Sequence, residues 1–229
     1  MPSERKTRTY DASGRRAAAE QTRARVLAAA RELFVDQGYA ATSVSEIARS
    51  AGVSVDTVYA TVGRKPQLLL TVVDMVLASS PRPLPASERD YVRAIRSAST
   101  AHDMLATYAV ALARLMPTVS PLLLALRDAA LTDAECARTW SHVVERRARN
   151  MLDLAADLRA TGDLRDDLDD QDVADLVWST NSPEFYAAWI SRGRSPDDYA
   201  ATLTDLWSRA LIARNVEAPV DPGPHRPSE

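Results

Sequence analysis

Two short helical segments joined by a glycine turn constrain this chain more than any other feature. Residues 43–65 are SVSEIARSAGVSVDTVYATVGRK. Ser43 and Glu46 have the spacing of a capping box, Gly52 supplies a turn, and Ser54 is a good N-cap for the segment that follows. The apolar positions recur at helical spacing and are Val44, Ile47, Ala48 and Ala51, then Val55, Val58 and Val62. The pattern predicts two short helices that meet at Gly52.

A longer helix precedes this pair. Val26, Ala30 and Phe34 lie on one helical face that starts near Arg16, and Gly38 is placed to end it. Three helices with a glycine turn between the second and third are typical of a helix-turn-helix that enters the major groove of DNA. We therefore predict a helix-turn-helix head over residues 16–66, with Pro66 in the first turn of a fourth helix.

The charge distribution fits a polyanionic partner at one end of the molecule. Residues 1–66 carry 11 Lys and Arg against 7 Asp and Glu, whereas residues 67–229 carry 17 against 24. A basic head on an acidic body favours nucleic-acid binding by the head alone. The third helix itself has no basic residue before Arg64, so phosphate contacts must come from elsewhere.

The rest of the chain has helical periodicity throughout and no alternating strand pattern. The three prolines within residues 79–87 mark a break, and prolines or glycines fall near most predicted helix ends. Helices are predicted over 88–98, 101–116, 119–131, 133–161, 170–192 with a kink at Pro183, and 196–214. The fold class is therefore all-α: a flexible basic arm (1–15), the head, a helical-bundle domain (67–216) and a disordered tail (217–229).

Residues 33–69 closely resemble the N-terminal signature of TetR-type transcriptional repressors. Matching positions include Gly38-Tyr39, Thr42-Ser43, Ile47-Ala48, Ala51-Gly52-Val53-Ser54, Thr57-Val58-Tyr59, Gly63, Lys65 and Leu68-Leu69. Residues 182–207 are similar, more loosely, to a C-terminal pattern of many members. The resemblance implies a homodimer that binds a palindromic double-stranded operator and is released by an unidentified small-molecule effector bound in the helical body. The single cysteine and the absence of a signal-peptide pattern predict a cytoplasmic protein.

The resemblance also implies which head residues contact DNA. Thr42, Tyr59, Thr61 and Lys65 would donate to phosphates, with Ser43 at the start of the second helix; the family often has histidine where Thr61 stands. Arg16 is expected to contribute charge, together with Arg15 and the arm residues Arg5, Lys6 and Arg8. Base contacts would fall to Ser54, Val55, Asp56 and Thr57.

Each of these assignments has a plain alternative. Tyr59 has the alternative of a packed ring, although its place in the signature favours DNA contact; Asp56 has that of a first-turn acid that the helix dipole favours, and the arm arginines that of a solvated tail. Because the recognition helix offers few base contacts, we expect operator specificity to rely on DNA shape and on the arm.

Methionine and aromatic side chains recur on helix faces of the body and are candidates for the wall of an effector pocket. Side chains of this kind more often only fill a core, and an arginine on such a face more often extends to solvent than binds an anionic ligand. The predicted pocket residues are Met104, Tyr108, Met116, Trp140, Val144, Arg147, Met151 and Trp178.

The last two helices have broad apolar faces joined by Arg192-Gly193-Arg194, and this hairpin is able to pair with its twofold copy as a four-helix bundle. The predicted dimer residues are Phe185, Trp189, Leu203, Leu206, Trp207 and Ala210.

Other classes of function find little support. The single cysteine, Cys136, excludes an intrachain disulfide and favours a packed thiol, and the charged N-terminus lacks the apolar run of a signal peptide. No metal, cofactor or catalytic residue is predicted, because histidines are sparse and nucleophile or phosphate-loop motifs are missing; the aspartates of residues 163–172 fit a solvated helix start better than a calcium loop. A DNA-binding protein without an effector stays open as an alternative.

Overall fold

The computed structural model describes residues 12–213, which form an all-helical protein, as predicted. Within that range the only extended pairing is an isolated bridge between Leu164 and Ile212. The helices are α1 (Ala12–Ala41), α2 (Val44–Ala51), α3 (Val55–Thr61), α4 (Lys65–Leu77), α5 (Asp90–Ser97), α6 (Ala101–Ala129), α7 (Ala134–Arg159), α8 (Asp170–Thr180), α9 (Pro183–Ser191) and α10 (Pro196–Leu211), with a 3-10 turn at Ala86–Glu88.

Helices α1 to α3 form the head, and their ends lie where capping chemistry places them. Ser43 and Glu46 make both bonds of the capping box, and Gly52 ends α2 at φ 67°, in the left-handed region. The Ser54 hydroxyl accepts from the Thr57 amide at the start of α3. The buried core of the head includes Val26, Phe34, Ala30, Ile47 and Val58. Gly38, at φ 82° and ψ 168°, bends the end of α1 as predicted.

Helix α1 begins earlier than predicted. It starts at Ala12, so Arg15 belongs to a helix rather than to the predicted flexible arm, and Arg16 lies within that helix as predicted. The predicted arm residues Arg5, Lys6 and Arg8, and the predicted tail, lie outside the described residues.

Helix α6 corrects a predicted break. It runs unbroken from Ala101 to Ala129 through Pro117 and Pro121, where we had predicted one helix to end and another to begin. A proline inside a helix removes a backbone hydrogen bond, but tertiary packing overrides this cost when the helix is held on several sides. Leu105, Ala109 and Leu126 on this helix are fully buried. α6 is long and apolar enough to span a membrane, but most of its apolar window is buried inside the fold, as for a central core helix.

The C-terminal helices differ from the prediction at one joint. The kinked helix predicted over 170–192 is two helices, α8 and α9, separated at Asn181 and Ser182. The Ser182 hydroxyl accepts from the Phe185 amide and so starts α9 anew. Asp169 and Asp172 form a capping box at the start of α8, which is the helix-start role expected for this acidic stretch.

Two of the predicted dimer residues lie inside the protomer. Leu203 and Trp207 are fully buried against the core, and Trp207 donates from Nε1 to Thr180 Oγ1 at 2.8 Å while its ring stacks on Tyr108. Their assignment to the interface was wrong, because α10 turns this stripe towards α6. The remaining predicted interface residues, Phe185, Trp189, Leu206 and Ala210, are half-buried and stay a prediction.

The two stripes of α10 are expected to respond differently to truncation. Trp207→Ala removes a fully buried ring and should lower the free energy of unfolding by about 3–5 kcal/mol. Leu206→Ala, its matched control on the outer stripe, should weaken dimerisation with little effect on the fold. Urea unfolding followed by circular dichroism, with sedimentation velocity for the dimer, separates the two effects. Equal loss of stability in both variants would contradict this assignment.

Candidate DNA-binding surface and effector cavity

Helix α3 presents few polar side chains that are free to meet DNA. Asp56 and Ser54 are exposed, Val55 and Thr57 are half-buried, and Tyr59 is 46% exposed. The Ser54 hydroxyl is already within 2.8 Å of Thr57 Oγ1 and caps the helix. An exposed Tyr59 on a helix that bears no cation fits a phosphate donor better than a packed ring.

Thr42 does not face outward. Its side chain is buried, and its hydroxyl donates to the carbonyls of Gly38 at 2.9 Å and Leu33 at 3.2 Å. The predicted phosphate contact through this hydroxyl is therefore wrong, because the proton closes the C-terminal end of α1.

The hydroxyls of Ser43 and Thr61 are also engaged within the head. Ser43 donates to Glu46 Oε2 at 2.8 Å, and Thr61 donates to the carbonyl of Thr57 one turn earlier in α3. A hydroxyl has only one proton, so neither can donate to a phosphate without giving up its present bond. The predicted phosphate contact of the Thr61 hydroxyl is therefore not supported by the geometry, whereas Ser43, predicted to act through the N-terminus of α2, stays a prediction. The carbonyl of Thr61 is bonded by the guanidinium of Arg23, a residue that the sequence alone did not single out.

Lys65 lies at the joint between head and body. Its ammonium stands 4.2 Å from the centroid of the Tyr39 ring, and burial lowers its pKa. Tyr39 Oη is 3.3 Å from the sulfur of the buried Cys136 on α7, which places the single thiol in a packed contact, as expected. Arg64 and Gln67 also contact α7, through Glu135 and Thr139.

Exposed cations flank the recognition helix without being part of it. Arg16 is exposed on α1, Arg49 is exposed in the last turn of α2, and Arg64 precedes α4 with its side chain 74% exposed. Arg49 was missed at the sequence level, although its place on the outer face of α2 was the available signal. These positions supply the charge that α3 lacks.

The body encloses a cavity of about 320 Å³ between α5, α6 and α7. Four of the predicted residues line it: Tyr108, Met116, Arg147 and Met151. The other four do not: Met104 is buried in the core, Trp140 and Val144 pack elsewhere on α7, and Trp178 lies behind Arg147, whose guanidinium is 5.0 Å from its ring centroid. Their assignment to the pocket was wrong, since a shared helix face does not reveal where a void remains.

The polar end of the cavity is built from three side chains. Arg147 Nη2 donates to Asn181 Oδ1 at 2.6 Å and to the Trp178 carbonyl at 2.9 Å. Asn181 Nδ2 in turn donates to Tyr108 Oη at 2.8 Å. Burial raises the pKa of Tyr108 and lowers that of Arg147. The phenol therefore stays a hydrogen-bond donor at neutral pH.

Several lining residues carried no signal in the sequence. Asn181 lies in the α8–α9 break, and Arg89 and Tyr91 follow the proline-rich stretch that the sequence predicts as a break between helices. Apolar walls complete the cavity and include Leu77, Ile95, Leu112, Leu115, Val119, Leu123 and Leu154.

One carboxylate on α4 ties this helix to the wall of the cavity. Asp74 on α4 accepts from Arg89 Nη2 at 3.2 Å and from Arg146 Nη1 at 2.9 Å. Arg89 lines the cavity, and its side chain is only 6% exposed. Leu77, one turn later on α4, lines the cavity directly. Because α4 also packs on α1, the same helix touches both the void and the head.

Comparison with known proteins identifies the head. Residues 26–72 match the family model described as bacterial regulatory proteins, tetR family. The head is therefore a TetR-family domain. The chain accordingly has the head of a DNA-binding transcriptional regulator, as the sequence indicated, and regulators of this family are not enzymes. No curated protein matches it significantly.

Solved structures with this fold cover most of this chain and nearly all of their own. A TetR-family regulator from Rhodococcus sp. is 20% identical, with a TM-score of 0.63 over 84% of this chain and 99% of that one. A regulator from Saccharomonospora viridis in complex with choline is 17% identical, with a TM-score of 0.62 over 85% and 100%. FadR from Bacillus subtilis in complex with stearoyl-CoA is 18% identical, with a TM-score of 0.58 over 80% and 96%. At these identities the likeness establishes the fold alone.

The ion pairs of Asp74 are expected to stabilise the fold as well as to join α4 to the cavity wall. Asp74→Asn leaves two guanidiniums without a counter-ion in a largely buried place, and should lower the free energy of unfolding by about 2–3 kcal/mol. Asp205→Asn breaks the exposed pair with Arg209 and should cost about 0.5 kcal/mol or less. Urea titration of both variants at one protein concentration measures the difference. Asp74→Asn with the stability of the control would show that the link carries little energy.

Proposed function

We propose that this chain, with its TetR-family head, is a homodimeric repressor that leaves a palindromic operator when a small molecule fills the body cavity. One observation carries the proposal: Leu77 of α4 lines the cavity, and α4 packs directly on α1 of the head. A ligand that needs more room than the empty cavity offers and displaces Leu77 therefore acts on a helix that packs against the head.

The route from cavity to head is short. A ligand beside Leu77 pushes on α4, and one beside Arg89 competes with Asp74 for that guanidinium. Either change alters the position of α4 relative to α7, to which Asp74 is tied through Arg146. Displacement of α4 then changes the spacing of the two recognition helices in a dimer. The size of the effect is bounded by the difference in ligand affinity between the two states.

Dimerisation follows from the requirements of DNA binding. A single head with few base contacts binds weakly, whereas a twofold pair doubles the phosphate contacts and recognises two half-sites about 34 Å apart. The outer faces of α9 and α10 supply the apolar surface, with Phe185, Trp189, Leu206 and Ala210 half-buried in the protomer. A regulator of this kind acts in the cytoplasm, where its operator is.

The alternative function is a DNA-binding regulator with no small-molecule effector. A body packed solid would favour it, and the body here instead has a cavity at the lower end of the range for ligand pockets, about 300–1,000 Å³. Two structures with this fold are complexes with choline and with stearoyl-CoA, which are chemically unlike ligands. The fold therefore does not dictate the effector class.

The test is binding to the DNA that flanks the protein's own gene, followed by fluorescence anisotropy at two salt concentrations. The wild type should bind a palindromic fragment with an affinity that falls steeply as salt rises. Tyr59→Ala and Lys65→Ala should each weaken binding by about tenfold, and Lys65→Ala should reduce the salt slope by about one.

Thr42→Val is the matched control within the head. Its hydroxyl is buried and bonded inside the protein, so the variant should keep operator affinity once circular dichroism shows that it is folded. Wild-type binding no tighter than to random DNA would contradict regulation at this site. Loss of operator binding in Thr42→Val alone would support the phosphate contact of Thr42 that the geometry argues against.

A further inference from the structure

The cavity contains a cation that the protein does not neutralise. Arg147 lines the void, and within residues 12–213 no carboxylate lies within ion-pair distance of its guanidinium. Glu184, whose charge reaches Arg147 at longer range, is itself paired with Arg127 at 3.0 Å. Removal of a guanidinium from water without a counter-ion is costly, so an anion brought to this place is bound strongly.

The other charged groups at the cavity are already satisfied or face solvent. Arg89 is paired with Asp74 at 3.2 Å, and Arg96 with Asp157 at 2.8 Å. Asp153 is exposed. Among the described residues that line the cavity, Arg147 is therefore the one cation without a carboxylate partner, which matches a ligand that brings a negative charge to it.

Arg147 is held in a fixed orientation. Its Nη2 donates to the carbonyl oxygens of Trp178 and Asn181, and its guanidinium carbon lies 5.0 Å from the Trp178 ring centroid. Within the described chain its Nε and Nη1 have no hydrogen-bond acceptor, which leaves donors for a ligand. A cation that is already oriented loses little entropy when an anion binds.

Tyr108 adds a second donor next to Arg147. Its oxygen accepts from Asn181, while its own proton finds only the sulfur of Met151, at 3.9 Å. A thioether at that distance is a poor acceptor, so a ligand oxygen would be a better partner. Arg147 and Tyr108 together offer N–H and O–H donors at one end of a void whose other walls are apolar.

We infer that the effector is an apolar monocarboxylate, with its carboxylate bound by Arg147 and Tyr108 and its aliphatic or aromatic body among Leu112, Leu115 and Val119. This inference rests on the proposed function only in taking the cavity as the effector site. A cation such as choline would be repelled by Arg147, and a multiply charged phosphate would exceed the one free positive charge. A cavity of about 320 Å³ suits a medium-length chain or a small ring system.

Isothermal titration of the full-length protein at pH 7.4 tests the charge preference. The carboxylate set is octanoate, decanoate, phenylacetate, 3-phenylpropanoate and indole-3-acetate, and octan-1-ol and octylamine are the neutral and cationic analogues of octanoate. At least one carboxylate should bind. If the alkyl chain of octanoate fits the cavity, octanoate should bind at least about tenfold more tightly than either of its analogues. Failure of every carboxylate to bind, or preference for the alcohol or amine, would overturn the inference.

Two variants locate the carboxylate. Arg147→Met removes the charge at similar volume and should weaken the tightest carboxylate by at least about tenfold, and Tyr108→Phe by about threefold. Arg149→Met is the matched control, because Arg149 lies two residues away on α7 with its side chain 61% exposed. Unchanged affinity in Arg147→Met would overturn the assignment. If that variant does not fold, Tyr108→Phe and the wild-type analogue series still decide the question.

Operator anisotropy with the same compounds separates this inference from the proposed function. Release of DNA by a neutral or cationic compound, with no carboxylate bound, would support the proposed repressor function and overturn the inferred ligand class. Carboxylate binding with no change in operator affinity would support the ligand class and contradict effector-driven release.

Discussion

Helix α4 is packed into two parts of the molecule at once, and the rest of the structure depends on how it is held. Towards the head it rests on α1, and its first residue, Lys65, stands over Tyr39. Towards the body, Asp74 is tied to Arg89 and Arg146, and Leu77 lines the cavity. Packed interfaces of this kind tend to have discrete arrangements rather than a continuous range, so occupancy of a void at one end can be transmitted to the other.

The head was predictable from sequence because its signals are local. The capping box of Ser43 and Glu46, the left-handed Gly52 and the Ser54 cap each specify a helix end through neighbours within four residues. The hydrogen bonds that the side-chain hydroxyls of the head donate were not predictable. Thr42 occupies a position expected to contact DNA, yet its hydroxyl turns inward to two carbonyls of α1, and only the three-dimensional packing of α1 against α2 decides that.

The body was predictable in class and not in detail, because its decisive contacts are distant in sequence. Pro117 and Pro121 predicted a break, but α6 is enclosed by other helices and continues. On α10 periodicity showed one broad apolar face, whereas the fold divides it into a buried stripe with Trp207 and an outer one with Leu206. The cavity depends on which side chains fail to meet across α5, α6 and α7, so Arg147 was placed correctly while Asn181, in a helix break, had no signal.

The central claim is that filling the cavity lowers the operator affinity of the head through α4. A substitution tests this claim without any ligand. Leu77→Trp adds an indole to the cavity from α4 itself, and Leu152→Trp adds one at an exposed position of the body as control. The measurement is operator affinity by fluorescence anisotropy, with circular dichroism and sedimentation to show folded dimers. The account predicts that Leu77→Trp weakens operator binding by about tenfold or more, while Leu152→Trp binds as the wild type does. A folded Leu77→Trp dimer with wild-type affinity would contradict it.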